Sequence, residues 1–151
     1  MMRPSVRLLA SACVVEKGSE VGTHIVSYAN GQAQPLQVFA AGLADYESLQ
    51  EGLAVFAEYV QGGLSAERLR LIAMRVVAVR RRLEGTTFPG LVNELCEAFG
   101  CPPRAAFNIA MRVFRGGGLT KDAIYLRGLT QLLAYLAEGG GLGAVLVGKI
   151  A

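Results

Sequence analysis

The sequence of 151 residues contains no tryptophan and a single histidine, His24. Without tryptophan, and with no alternation of aromatic and basic residues, it lacks the stacking platform of single-strand nucleic-acid binders. Charge is also scarce: charged residues make up 18% and the formal net charge is +3. That is too mild to argue for a nucleic-acid partner. Long apolar runs are missing, although 52% of the residues are hydrophobic. None approaches the roughly 18 uninterrupted apolar residues of a membrane span. Cysteine is limited to Cys13, Cys96 and Cys101, an odd number without metal-type pairing. This argues against a disulfide framework and for free thiols in a reducing cytoplasm, the expected location. The apolar stretch behind Arg3 and Arg7 is short. Its Ala10-Ser11-Ala12-Cys13 lacks the leucine of a lipoprotein cleavage site, so a buried helix is expected there rather than an export signal.

No strand pattern and no fixed repeat appears; what is present is helical periodicity cut by glycine. Residues 6–15 are apolar, and Gly18 weakens any continuous helix into the next segment. Residues 19–30 read as a helix with Val21, Ile25, Val26 and Ala29 on its apolar face, stopped by Asn30-Gly31. Gln32 to Gly42 is a connector. Residues 45–61 form the next helix, capped by Asp45, with Leu49, Leu53, Phe56, Ala57 and Val60 as its buried stripe. A third runs from Ser65 to Gly85 with Leu69, Ile72, Ala73, Val76 and Val79 inward. Thr87 opens a fourth that ends at Gly100, and Pro102-Pro103 a fifth that ends at Gly116-Gly117-Gly118. Thr120-Lys121-Asp122 caps a sixth, through Tyr125 and Leu136. Leu142 to Ala151 is a short apolar segment. The fold class is therefore mainly α, with residues 1–18 as a lead-in and 19–151 as one helical domain.

Glu20 and His24 carry the first chemical signal. A catalytic zinc needs three protein ligands and an open position for water. A neighbouring carboxylate then removes the water's proton. The usual helical solution is two histidines four apart, with glutamate beside the first. Here the first ligand position would be 19, which holds serine, and its spacing to His24 is five. Five residues advance about 500°, leaving the two positions roughly 140° apart on a regular helix. Reaching one metal requires a bulge or unwinding, which Gly22 makes easier.

The surrounding text is more specific. Ser19-Glu20-Val21-Gly22-Thr23-His24 is followed by Asn30-Gly31, Gln34-Pro35-Leu36 and Gln50-Glu51-Gly52-Leu53-Ala54. Later come Arg112-Val113-Phe114-Arg115-Gly116-Gly117, Thr120-Lys121-Asp122, Tyr125-Leu126 and Gly148-Lys149-Ile150. Over residues 19–150 this resembles the bacterial QEGLE-motif proteins, whose eukaryotic relatives are the microtubule-associated tyrosine carboxypeptidases. That family carries His-Glu-x-Gly-Thr-His and a Glu-Gly-Leu on the following helix. The resemblance implies a metallopeptidase-like catalytic portion, with zinc held by His24 and Glu51 and with Glu20 as general base. It implies a peptide or protein C-terminus as substrate. It also implies that the chain is the incomplete C-terminal part of a larger α+β protein with an upstream domain.

The departure is Ser19, where the family has its first histidine ligand. A serine hydroxyl is short and mostly protonated at neutral pH, hence a poor zinc ligand. The expectation is a tyrosine/phenylalanine carboxypeptidase-like domain with impaired catalysis, a pseudoenzyme. Rival readings are a non-catalytic binding or regulatory module and a truncated gene product. A carboxypeptidase also needs a cation for the substrate's terminal carboxylate, and Arg112, Arg115 and Lys121 are the candidates. Tyr125 is a candidate hydroxyl for the oxyanion. Each has a plainer reading as a helix-end cation or a packed aromatic. Gly116-Gly117-Gly118 is not a P-loop, because the GK[ST] ending is absent. Glu58 reads as solvated or indirectly supporting. Arg68, Arg75 and Arg82, seven apart, form a basic stripe with Arg80 and Arg81. The stripe reads as a solvated face or a surface for an acidic partner.

Overall fold

The computed structural model describes residues 19–116 and 121–151, with side chains in the first helix from Gly22 onward. Among the described residues eight helices follow one another and no strand occurs. They are α1 (Ser19–Gln32), α2 (Val38–Ala41), α3 (Tyr46–Val60) and α4 (Ala66–Leu83). After them come α5 (Phe88–Glu97), α6 (Pro103–Phe114), α7 (Lys121–Ala137) and α8 (Leu142–Val145). The chain is mainly α, as its glycine-punctuated periodicity predicts. Among the described residues no helix is long and apolar enough to cross a membrane. The lead-in, Gly117-Gly118 and Thr120 lie outside the described residues. Packing divides the described residues into two compact units, 19–65 with 127–151, and 66–116 with 121–126.

In the second unit, α4, α5 and α6 pack on one another. Its core holds Met74, Ala78, Val79, Leu91, Leu95, Cys101, Ala106, Ile109, Ala110 and Val113. The local signals act as expected. Thr87 Oγ1 accepts the Gly90 N–H at 3.3 Å as an N-cap, and Pro103 starts α6 where no intrahelical donor is needed. Gly100 adopts φ +59, and the chain turns so that the Cys101 N–H reaches Leu95 O at 3.0 Å. Phe88 meets Phe107 and Phe114 edge-on, at centroid separations of 5.3 and 5.4 Å. Leu69, expected inside by period, is 40% exposed. The basic stripe is engaged within this unit. Arg81 pairs with Glu84 and Glu94 at 2.8 and 2.7 Å, and Arg82 lies over the Phe114 ring at 4.5 Å. Arg80 pairs with Glu84 at 2.9 Å, and Arg70 donates to Phe99 O.

In the first unit, α1 packs on α2 and α3. Leu53, Leu132 and Val145 form a small core with Leu49, Phe56, Tyr135, Leu136 and Leu146 around it. Three sequence expectations need correcting here. First, Asn30-Gly31 does not stop α1, which runs on to Gln32. Gly31 serves contact instead: a Cβ there would stand 2.7 Å from Phe39 C and 2.9 Å from Ala40 Cα, so α2 can approach only a glycine. The connector contains that short helix. Second, Asp45 precedes α3 at φ +62 in the left-handed region, and its side chain caps nothing. Its carboxylate takes a hydrogen bond from Arg127 Nη2 at 3.1 Å. Third, Val60 is 66% exposed, while Ser48, Gln50, Glu51, Gly52, Leu53, Ala54 and Val55 are all buried. Helix α3 is enclosed nearly all round, so its pattern is not a single stripe.

The crossing of α3 and α7 explains Gly52 of the Glu-Gly-Leu motif. A Cβ on Gly52 would lie 2.7 Å from Leu129 N, and one on Gly128 3.0 Å from Gly52 N. The two backbones touch because both positions lack a side chain.

Candidate functional site

Helix α1 buries a polar face. Thr23, Ser27 and Asn30, spaced four and three apart, are 2%, 0% and 5% exposed, whereas Ile25 is 43% exposed. The expected apolar face is thus rotated: Val26 is buried, while Ile25 and Ala29 point outward. Opposite stand Gln50 and Glu51 of α3, both buried. Buried polar groups need partners; Ser27 meets one on α3, and Asn30 meets one just beyond α8. Gln50 Nε2 donates to Ser27 Oγ at 2.8 Å, and Asn30 Nδ2 donates to Leu146 O at 2.6 Å. This layer fixes the register of α3 against α1, and with it the position of Glu51.

Glu51 is 1% exposed, and its Oε1 lies 3.8 Å from His24 Nε2, whose ring is 37% exposed. That is too long for a hydrogen bond. Two ligand atoms about 2 Å from a tetrahedral ion stand roughly 3.3 Å apart. The pair therefore converges from two helices on a point that a small cation could occupy, with His24 on the solvent side. The donor set stops there. Among the described residues no group of three His, Cys, Asp or Glu side chains could hold a metal. Position 19 carries serine, and α1 is an α-helix from Ser19 onward. On such a helix position 19 stands roughly 140° from His24, whereas position 20 stands about 40° from it. The Glu20 side chain lies outside the described residues, and among the described side chains no three-ligand zinc centre is complete.

The other candidates lie in the second unit. Arg112 Nε donates to Asp122 Oδ2 at 2.7 Å, and Arg75 Nη1 stands 4.0 Å from Asp122 Oδ1. Asp122 is 0% exposed. It is a buried carboxylate between two guanidinium groups, and it orients Arg112. Arg115 is the exposed C-cap of α6, and Lys121 and Tyr125 are half-buried on α7. Cys96 and Cys101 are both free thiols. Burial, and then the neighbouring Cys96, push the Cys101 thiol above its ordinary range.

Sequence reasoning passed over the Thr23–Ser27–Asn30 face and read Asp122 only within a helix cap and a motif, without its arginine partners. The signal for the first was present: three polar residues at helical spacing inside an apolar segment. It quoted Lys149 within Gly148-Lys149-Ile150 but gave it no role. That ammonium lies 5.6 Å from the Tyr28 ring centroid and 5.3 Å from that of Tyr46. The Lys149 backbone is fixed on both sides, its N–H to Phe39 O at 2.7 Å and its carbonyl to Leu43 N at 3.0 Å.

No curated protein and no solved structure gives a significant match to this chain. Its sequence does match one protein family, described as microtubule-associated tyrosine carboxypeptidase, over residues 14–151. That match spans nearly the whole chain and takes in α1, α3 and the His24–Glu51 pair. The chain belongs to the microtubule-associated tyrosine carboxypeptidase family.

Proposed function

We propose that this chain is a metallocarboxypeptidase-type domain that keeps recognition of a peptide or protein C-terminus and is impaired in hydrolysis. The observation that carries the reading is the buried Glu51 facing His24 at 3.8 Å, and the sequence supports it with serine at position 19, where the resemblance implies a histidine ligand. Burying a carboxylate is costly, and its Oε1 turned toward the only histidine is the donor arrangement that a cation site uses, so Glu51 is taken as a remnant of cation binding. Two protein donors hold zinc weakly, and a neutral serine hydroxyl adds little. The second reading is a non-catalytic helical binding module. The same two-donor count favours it, and it differs in predicting no gain when the third donor is restored.

The test is a comparison of the parent chain with Ser19→His. Zinc content after dialysis is measured together with release of C-terminal tyrosine or phenylalanine from short peptides. The variant is expected to bind zinc at least about tenfold more tightly, because a third ligand completes the usual catalytic set once the first turn of α1 unwinds to bring position 19 round to His24. It is also expected to gain hydrolysis, which Ser19→His combined with Glu20→Gln loses again while zinc stays bound. Parent hydrolysis as fast as that of Ser19→His would overturn the impairment. Equal zinc binding by the two chains would overturn the ligand assignment.

A further inference from the structure

We propose that Lys149 is a substrate-binding residue whose ammonium takes the free α-carboxylate of the peptide's last residue. The proposal rests on the reading of this domain as one that recognises chain termini, and it names the group that would do so in the unit containing His24 and Glu51.

Lys149 is a cation with unusual support. Its ammonium stands between two aromatic rings, at 5.6 and 5.3 Å from their centroids. Ring quadrupoles attract such a cation without neutralising it, so its full charge stays available to an anion. Among the described residues no carboxylate pairs with it. Its backbone is held at both the N–H and the carbonyl, and Gly148 before it packs on Phe39, where an added Cβ would come within 2.8 Å of Phe39 Cβ. A lysine stem is otherwise flexible. Here the rings and the two backbone bonds limit where it can go, which lowers the ordering cost of binding.

The placement also suits the task. Tyr28 follows His24 by four residues on α1, which is about 6 Å along the axis and about 40° around it. His24 and Tyr28 therefore share a face, and Lys149 sits against Tyr28. In a bound terminus the scissile carbonyl carbon and the terminal carboxylate carbon are separated by one residue, somewhat under the 3.8 Å spacing of consecutive Cα atoms. A charge-assisted hydrogen bond adds about 2.8 Å. The cation that reads the carboxylate is thus expected roughly 6–7 Å from the carbonyl beside His24, one helical turn away. Tyr28 is 51% exposed and offers an aromatic surface at the same point. An aromatic last residue could lie against it.

The test uses the full chain and two fluorescein-labelled peptides of one sequence ending in tyrosine, one a free acid and the other a C-terminal amide. Affinities are read by fluorescence anisotropy at low salt. The parent is expected to prefer the acid by about tenfold, the size of one hydrogen bond between charged groups. Lys149→Met should abolish that preference without changing affinity for the amide, and Lys149→Arg should retain it. A purely structural role would shift both peptides alike. In the parent itself, the acid peptide should protect Lys149 from reductive methylation, read by mass spectrometry, and the amide should not. This arm holds even if Lys149→Met fails to fold. An acid preference that survives in Lys149→Met, or an unprotected Lys149, overturns the assignment and leaves the reading of the domain intact. A parent with no acid preference overturns both.

Discussion

Replacing Gly128 by alanine sets two opposing effects against each other. In an open helix the substitution stabilises by about 0.5–1 kcal/mol, because glycine has more backbone freedom to lose. At the α3–α7 crossing there is no room for it. The new Cβ would overlap the Ser48 carbonyl oxygen and stand 2.9 Å from Ser48 C and 3.0 Å from Gly52 N. All of these are backbone atoms, so no rotamer change relieves the contact. The helices must part, loosening Leu53 against Leu132 and Val145. Overpacking of this kind costs about 1–3 kcal/mol and sometimes more. A net loss of about 2 kcal/mol is expected, read as a lower midpoint in urea by far-UV circular dichroism. By the usual scaling for a chain of this size it corresponds to roughly 4–8 °C in Tm. Ser48→Gly should not rescue the variant, since the clash is with backbone. A Gly128→Ala protein as stable as the parent would refute the close crossing. So would rescue by Ser48→Gly.

Asp122→Ala removes the carboxylate shared by Arg112 and Arg75. Breaking a buried pair costs about 3–5 kcal/mol, but these arginine side chains are 40% and 27% exposed, so solvation returns part and about 2 kcal/mol should remain in urea titrations. An unchanged urea midpoint would refute the pairing of Asp122 with the two arginines. Alkaline pH should destabilise the chain through Cys101. Burial and the adjacent Cys96 raise its thiol above the ordinary 9.0, so the folded state holds that proton more tightly than the unfolded state. The contribution is complete below about pH 9 and is lost as pH rises through the folded value. Cys101→Ala should flatten this alkaline slope in urea midpoints taken at several pH values, and identical slopes in the two proteins would contradict it.

Much of the fold is legible in the sequence because local chemistry decides it. Thr87 with Pro89, Pro102-Pro103 and Gly100 set the limits of α5 and α6 through their own backbone restrictions, and those limits are where the structure has them. The candidate pair is legible for a different reason: His24 is the only histidine, and Glu51 sits in a recognisable Gln-Glu-Gly-Leu. Other features depend on what lies across from a residue, which periodicity does not encode. Asn30-Gly31 reads as a helix stop, yet Asn30 holds Leu146 and Gly31 admits α2. Asp45 reads as a cap, but its carboxylate goes to Arg127, from a distant part of the chain. The inward face of α1 could not be chosen by hydrophobicity, because the partners of Thr23, Ser27 and Asn30 are supplied only by packing. The sequence by itself determined the helical class, most of the breaks and the two residue types that could bind a cation. Tertiary structure alone decided that Glu51 is buried against His24, that Gly52 and Gly128 must be glycine, and that Lys149 stands between two tyrosine rings. Each of these is a contact between segments far apart in the chain, and such contacts are fixed by complementary surfaces rather than by local propensity.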